Sequence, residues 1–176
     1  MESSKSLWTV SNLLSASRFV IAVPLAYALY TGAYAWVWVL ALTASLTDYL
    51  DGFLARRYDE VSDAGKILDP IADKVLVGAG AAALYVSGRI DAWFLIAVIA
   101  RDLLILAGGI FVQRKKHILV TSNMTGKIAV GIVALVLLLV GGGWSGFRET
   151  GEWIAAAALG ISFVHYLRTF VRVAFT

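Results

Sequence analysis

Of the six aspartates in residues 48–73, DYLDGFLARRYDEVSDAGKILDPIAD, four follow the spacing D-x2-D-G-x2-A-R-x8-G-x3-D-x3-D: Asp48, Asp51, Asp69 and Asp73. At about 100° per residue a helix through the first half puts Asp48, Asp51, Gly52, Ala55 and Arg56 on one face, roughly 140° wide. In the second half Gly65, Asp69 and Asp73 step by four and share a face as well. Two helix ends joined by a short polar loop therefore turn four carboxylates toward one point. Carboxylates so gathered stay ionised only when cations neutralise them. The donors are all oxygen, with no Cys in the chain and no His nearby, which favours a hard ion, Mg²⁺ or Mn²⁺. Four Asp suit two such ions bridged by shared carboxylates, the arrangement that clamps the oxygens of a phosphoryl transfer. Gly52, Ala55 and Gly65 leave room for something bulky at the helix backbone, and Arg56 is placed to hold a phosphate. Asp59, Glu60 and Asp63, beside Arg57, read instead as a solvated loop.

The elements that position these residues are apolar. The chain has 176 residues, is 60% hydrophobic and carries a net charge of +3, with a mean hydropathy of +0.79. That apolar share lies well above a soluble domain's and predicts an all-α integral membrane protein of one domain, residues 1–176. Six spanning helices are predicted, over residues 15–30, 34–56, 65–86, 92–113, 125–140 and 152–173. A possible amphipathic interfacial helix, residues 7–14, precedes the first. Thr31-Gly32, Ser87-Gly88 and Gly141-Gly142-Gly143 are the predicted breaks. Ser122 or Thr125 is available to cap the fifth helix, and Pro24 should kink or relax the first. Gly131 and the Gly78/Gly80 pair are candidates for close helix packing. Trp36, Trp38, Trp93, Trp144 and Trp153 mostly fall at helix starts, as an interfacial belt does. The N-terminal MESSKSLW lacks the pattern of a signal peptide. Without Cys there is neither a disulfide framework nor thiolate chemistry. The basic residues form no nucleic-acid stripe, so no nucleic-acid partner is expected.

Every Lys and Arg except Arg89 and Arg148 falls on or toward one side of the predicted spans. This bias places both termini and the acidic motif on the cytoplasmic face of the cell membrane. Soluble charged substrates then come from the cytosol and a lipid from the leaflet. Arg101 with Asp102 sits inside the fourth helix, Lys127 begins the fifth, and Arg18 lies in the first. Charges so deep face a cavity or a partner. Arg101, Lys127, Arg18 and Arg114 are candidates for holding the phosphate of a phosphorylated alcohol. The alternatives are an Arg101–Asp102 pair that only orients helices, or snorkelling. Arg114, Lys115, Lys116 and His117 read as a loop cluster that attracts anionic lipid. His117 and His165 have no second ligand at metal spacing.

The motif, matched at Asp48, Asp51, Gly52, Ala55, Arg56, Gly65, Asp69 and Asp73, resembles the signature of the CDP-alcohol phosphatidyltransferase family. The extended GKILDPIADK, residues 65–74, is most similar to the branch of phosphatidylglycerophosphate synthases and the related cardiolipin synthases. The resemblance implies six helices around a cytoplasm-facing polar cavity, and an alcohol that attacks the lipid-side phosphorus of CDP-diacylglycerol while CMP leaves. It implies two Mg²⁺ or Mn²⁺ ions on Asp48, Asp51, Asp69 and Asp73, with Asp73 also the general base. Asp48, Gly52, Ala55, Arg56 and Gly65 would contact the CDP part, and a homodimer is implied. No Ser–His pair is evident, which favours direct attack over an enzyme-bound intermediate.

GKILDPIADK points to glycerol 3-phosphate as acceptor, whereas Arg101-Asp102 is similar to the cardiolipin synthases, which use phosphatidylglycerol. Two other classes put acids in membrane helices. Intramembrane prenyltransferases usually have their acidic motifs far apart in sequence. An ion-coupled transporter more often shows an internal repeat and a second acidic cluster. Neither pattern is present.

Overall fold

The computed structural model describes residues 10–58, 63–116 and 124–175. Among these, every regular element is helical. The α-helices are α1 Val10–Thr31, α2 Tyr34–Tyr58, α3 Asp63–Val86, α4 Ala92–Lys116, α5 Met124–Gly141 and α6 Arg148–Phe175, with a 3-10 turn at Ser145–Phe147 before α6. The six predicted helices are thus present, with shifted ends. α1 is continuous from Val10, so the described part of the expected interfacial segment, residues 7–14, belongs to α1 and not to a separate helix. α1 also runs unbroken through Pro24. α5 starts at Met124, which puts Thr125 in its first turn and not at the cap. α4 carries Arg114, Lys115 and Lys116 as helix where a loop was expected. Long basic side chains are good helix formers and favour a helix C-terminus. α6 begins at Arg148, ahead of the expected residue 152, and an Arg148–Glu152 pair at i,i+4 supports that added turn.

The breaks fall where predicted. Gly32, Gly88 and Gly143 have φ of 75°, 71° and 108°. At the end of α1 the Gly32 and Ala33 amides both donate to the Ala28 carbonyl at 3.0 Å. The Thr31 hydroxyl donates to the Tyr27 carbonyl at 2.9 Å, so the last carbonyls of the helix are satisfied locally.

The chain forms two compact units. The first holds α1, α2, α3 and the turn Gly141–Gly143. Here α1 packs on both α2 and α3. Its buried face is Arg18, Ala22, Leu25 and Leu29, a strict i, i+4, i+7, i+11 stripe, with Ala28 alongside. Val37 and Ala44 of α2 and Ala72, Ala81 and Leu84 of α3 are buried with it. Small residues let the helices approach closely. A Cβ on Gly80 would stand 3.3 Å from Leu29, and one on Gly141 would overlap Leu29. Gly78 and Gly131, by contrast, have nothing within 4 Å, so of the three glycines expected at helix contacts only Gly80 is at one. The Trp38 indole donates to the Gly142 carbonyl at 3.3 Å, and Gly143 lies against the Tyr34 ring.

The second unit holds α4, α5 to Val140, the 3-10 turn and α6. α4 packs on α6, with Phe94, Val98, Ala155, Leu159 and Ser162 buried. Tyr166 donates to the Ile105 carbonyl at 3.0 Å. A Cβ on Gly108 would come within 2.6 Å of the Tyr166 hydroxyl, so glycine lets that bond form. Large apolar side chains remain exposed on every helix, among them Val20, Leu42, Ile71, Leu103, Leu135 and Ile161. Surface of this kind needs a non-aqueous cover, and a lipid bilayer supplies one. Among the described residues, α5 and the stretch Ser145–Arg172 are long and apolar enough to cross a membrane, and Ala16–Thr31 forms a shorter apolar helix.

Gly143 provides a test of the turn. A β-branched side chain at its positive φ is strained and meets the Tyr34 ring. Gly143→Val should cost about 1–3 kcal/mol of stability, read as a lower thermal midpoint. Gly78→Ala, mid-helix with open space, should leave the midpoint level or raise it. Equal effects of the two substitutions in detergent would show that the turn conformation contributes nothing.

Candidate active site

The acidic motif spans the end of α2 and the first half of α3. Both helices pack on α1, and α1 supplies the group that joins them. Arg18 Nη1 donates to Asp48 Oδ1 at 2.8 Å and also to Asp73 Oδ1. The first and fourth acids of the motif, on different helices, therefore converge on a single guanidinium nitrogen. The Arg18 side chain is 1% exposed, whereas those of Asp48 and Asp73 are 63% and 53% exposed. A buried cation thus pairs with two carboxylates that each keep more than half of their side-chain surface exposed. Burial follows from the stripe of α1: Arg18 stands one turn before Ala22 on the face turned to α2 and α3.

The side chains of Asp51, Gly52, Ala55, Arg56, Gly65, Asp69 and Arg114 lie outside the described residues. Their backbones are in α2, α3 and α4, with Asp51 three residues after Asp48 and Asp69 four before Asp73. Among the described residues no group of three or more His, Cys, Asp or Glu is gathered to hold a metal. Asp48 and Asp73 fit the chemistry of a hard divalent cation all the same. They are oxygen donors held close enough to share one cationic partner, and they have accessible surface left.

The expected acceptor residues part ways. Arg18 is engaged with the motif acids. In α4, Arg101 donates from Nη1 to Asp102 Oδ1 and from Nη2 to Ser162 Oγ of α6, both at 2.8 Å. The Arg101–Asp102 pair foreseen as an orienting contact is present, and Ser162, 1% exposed, completes it. Lys127 is exposed in the first turn of α5. Nothing in the sequence singles out Ser162, a small hydroxyl in an apolar helix. Its importance comes only from facing an arginine across two packed helices.

The second unit holds a further polar cluster that residue spacing does not announce. Glu152, 1% exposed, accepts from the Asp91 amide at 3.0 Å and pairs with Arg148 Nε at 3.6 Å. Arg148 also donates to Asp91 Oδ1 and to the Gly88 carbonyl at 3.0 Å. A cavity of about 510 Å³ beside it is lined by Trp93 and Trp153, whose rings are 4.9 Å apart, and by Ser145, Gly146 and Glu149. No motif residue lines this cavity.

The sequence matches the CDP-alcohol phosphatidyltransferase family model over residues 8–164. A CDP-diacylglycerol–glycerol-3-phosphate 3-phosphatidyltransferase of Aquifex aeolicus is 35% identical over 134 residues, which are 75% of this chain and 75% of that protein. The protein of the same name from Bacillus subtilis is 38% identical over 104 residues, 58% of this chain and 53% of that one. A probable cardiolipin synthase (CMP-forming) of Drosophila melanogaster is 32% identical over 113 residues, 64% of this chain and 35% of that protein. The chain belongs to the CDP-alcohol phosphatidyltransferase family.

Removing Arg148 would leave the buried Glu152 carboxylate with only the Asp91 amide among these bonds. Arg148→Met should cost about 1–3 kcal/mol of stability, read as a lower thermal midpoint. An unchanged midpoint would mean that the cluster adds nothing net to the fold.

Proposed function

We propose that this chain transfers the phosphatidyl group of CDP-diacylglycerol to the hydroxyl of glycerol 3-phosphate and releases CMP. The observation that carries the reading is the convergence of Asp48 and Asp73, from the two ends of the motif, above Arg18. The names of the Aquifex and Bacillus relatives support the choice of acceptor.

Asp73 takes the proton of the acceptor hydroxyl. The oxygen forms a bond to the lipid-side phosphorus, the bond from that phosphorus to the bridging oxygen breaks, and CMP departs with that oxygen and its charge. Mg²⁺ or Mn²⁺ ions on Asp48, Asp51, Asp69 and Asp73 would supply the positive charge that the pyrophosphate and the leaving phosphate need. Gly52, Ala55 and Gly65 give the nucleotide room at the backbone, and Arg56 with Asp48 orients it. Arg101, Lys127 and Arg114 are the candidates for the acceptor's phosphate. Transfer of this kind depends on position and charge neutralisation more than on covalent help.

The working form in this reading is a homodimer in the cytoplasmic membrane. Each chain crosses six times, with both termini and a polar cavity on the cytoplasmic side. The excess of Lys and Arg on that side supports the orientation. Transfer to phosphatidylglycerol is the second reading, favoured by the Arg101–Asp102 pair and by the Drosophila relative.

The test is CMP release by the reconstituted protein from CDP-diacylglycerol with Mg²⁺ or Mn²⁺. Release should depend on glycerol 3-phosphate and not on serine or inositol phosphate. Release only with phosphatidylglycerol would move the protein to cardiolipin synthesis. Asp73→Asn should cut turnover by about 10²–10⁴-fold, and near-normal release from that variant would remove Asp73 as base.

A further inference from the structure

The sequence presents Arg18 as one of several basic residues for an acceptor phosphate, but its surroundings assign it other work. A guanidinium stays charged under all ordinary conditions, so burying it demands anionic partners. Arg18 is 1% exposed on the core stripe of α1 and donates from one nitrogen to Asp48 of α2 and Asp73 of α3. Those acids repel each other, and they sit on helices whose relative position sets the spacing of the whole motif. Both keep more than half of their side-chain surface open.

We propose that Arg18 is a positioning residue, the built-in counter-ion of the acidic site. It holds the first and last motif acids together from beneath when no divalent cation is present, so that an incoming cation and the nucleotide meet a preformed arrangement. Arg18 touches neither substrate nor leaving group. It acts through Asp48 and Asp73, and it ties α1, α2 and α3 at the level of the site. The same positive charge opposes cation binding, so the site exchanges some metal affinity for preorganisation.

Two signatures follow. Asp73→Asn in the otherwise unchanged protein takes a partner from a buried cation, and should lower the thermal midpoint measured in EDTA by about 3–8 °C. In an Arg18→Gln background the same change removes one of two repelling carboxylates and should raise the midpoint. Arg18→Gln should also bind Mn²⁺ more tightly, by at least about tenfold, since a like charge beside the ion is gone. A residue that merely fills space would give Asp73→Asn the same sign in both backgrounds.

The experiment is therefore thermal unfolding of the purified full chain in EDTA for wild type, Asp73→Asn, Arg18→Gln and the double variant, with Mn²⁺ titration of wild type and Arg18→Gln. A sign reversal supports the proposal, and equal signs overturn it. Should Arg18→Gln fail to fold, recovery of a folded protein on adding Asp48→Asn and Asp73→Asn supports the proposal, and continued failure overturns it. The Mn²⁺ arm alone rests on reading these acids as metal ligands. No Mn²⁺ uptake by wild type would defeat that reading and the proposed function, while the sign test in EDTA still decides the role of Arg18.

Discussion

A positive charge inside an apolar helix bundle has to be matched by negative charge within hydrogen-bond reach, or the bundle does not hold it. In the first unit that requirement is met by Arg18 with Asp48 and Asp73. The desolvation cost of a buried guanidinium is large, and only well-placed carboxylates offset it. The pairing therefore constrains how α2 and α3 lie on α1. The acids gain a fixed spacing from the same contact. Packing and polar pairing are coupled here, because the residue that continues the hydrophobic stripe of Ala22, Leu25 and Leu29 is also the one that joins Asp48 to Asp73.

Close approach around that stripe depends on what is missing from side chains. Ala22, Ala28, Ala44, Ala72 and Ala81 are buried, and Gly80 and Gly141 leave space for Leu29. One branched side chain accordingly serves as the wedge for two neighbouring backbones. The second unit meets its own polar demands differently. Arg101 is answered by Asp102 and Ser162 on the packed pair α4 and α6, and Arg148 by Glu152 of α6 and by Asp91 just before α4. In each case a charge in a largely apolar helix has a partner, as a low-dielectric environment requires.

The motif was legible because its residue types recur at helical spacing, and acids in an apolar helix are costly enough to stand out. The six helices were legible from apolar runs ended by Gly32, Gly88 and the glycines at 141–143, and each of these breaks holds one glycine at the positive φ that favours it. Helix ends were less so. Arg148 at the start of α6 and Arg114 to Lys116 at the end of α4 are polar, and polar residues do not reveal whether the backbone has already closed its hydrogen bonds. Arg18 was read as a deep charge in need of a partner, which it is, but phosphate and carboxylate are equivalent partners until the neighbours are known.

By itself, the sequence determined the acids at helical spacing, the apolar runs and the bias of basic charge, all local properties that a linear pattern carries. Only the tertiary structure decided the pairings. Arg18 with Asp73 joins residues 55 positions apart, and Arg101 with Ser162 joins residues 61 apart. Such contacts depend on which helix faces pack together, which in the first unit reflects the fit of Leu29 against Gly80 and Gly141 and the energy of leaving Arg18 unmatched, neither of which has a signature in local spacing.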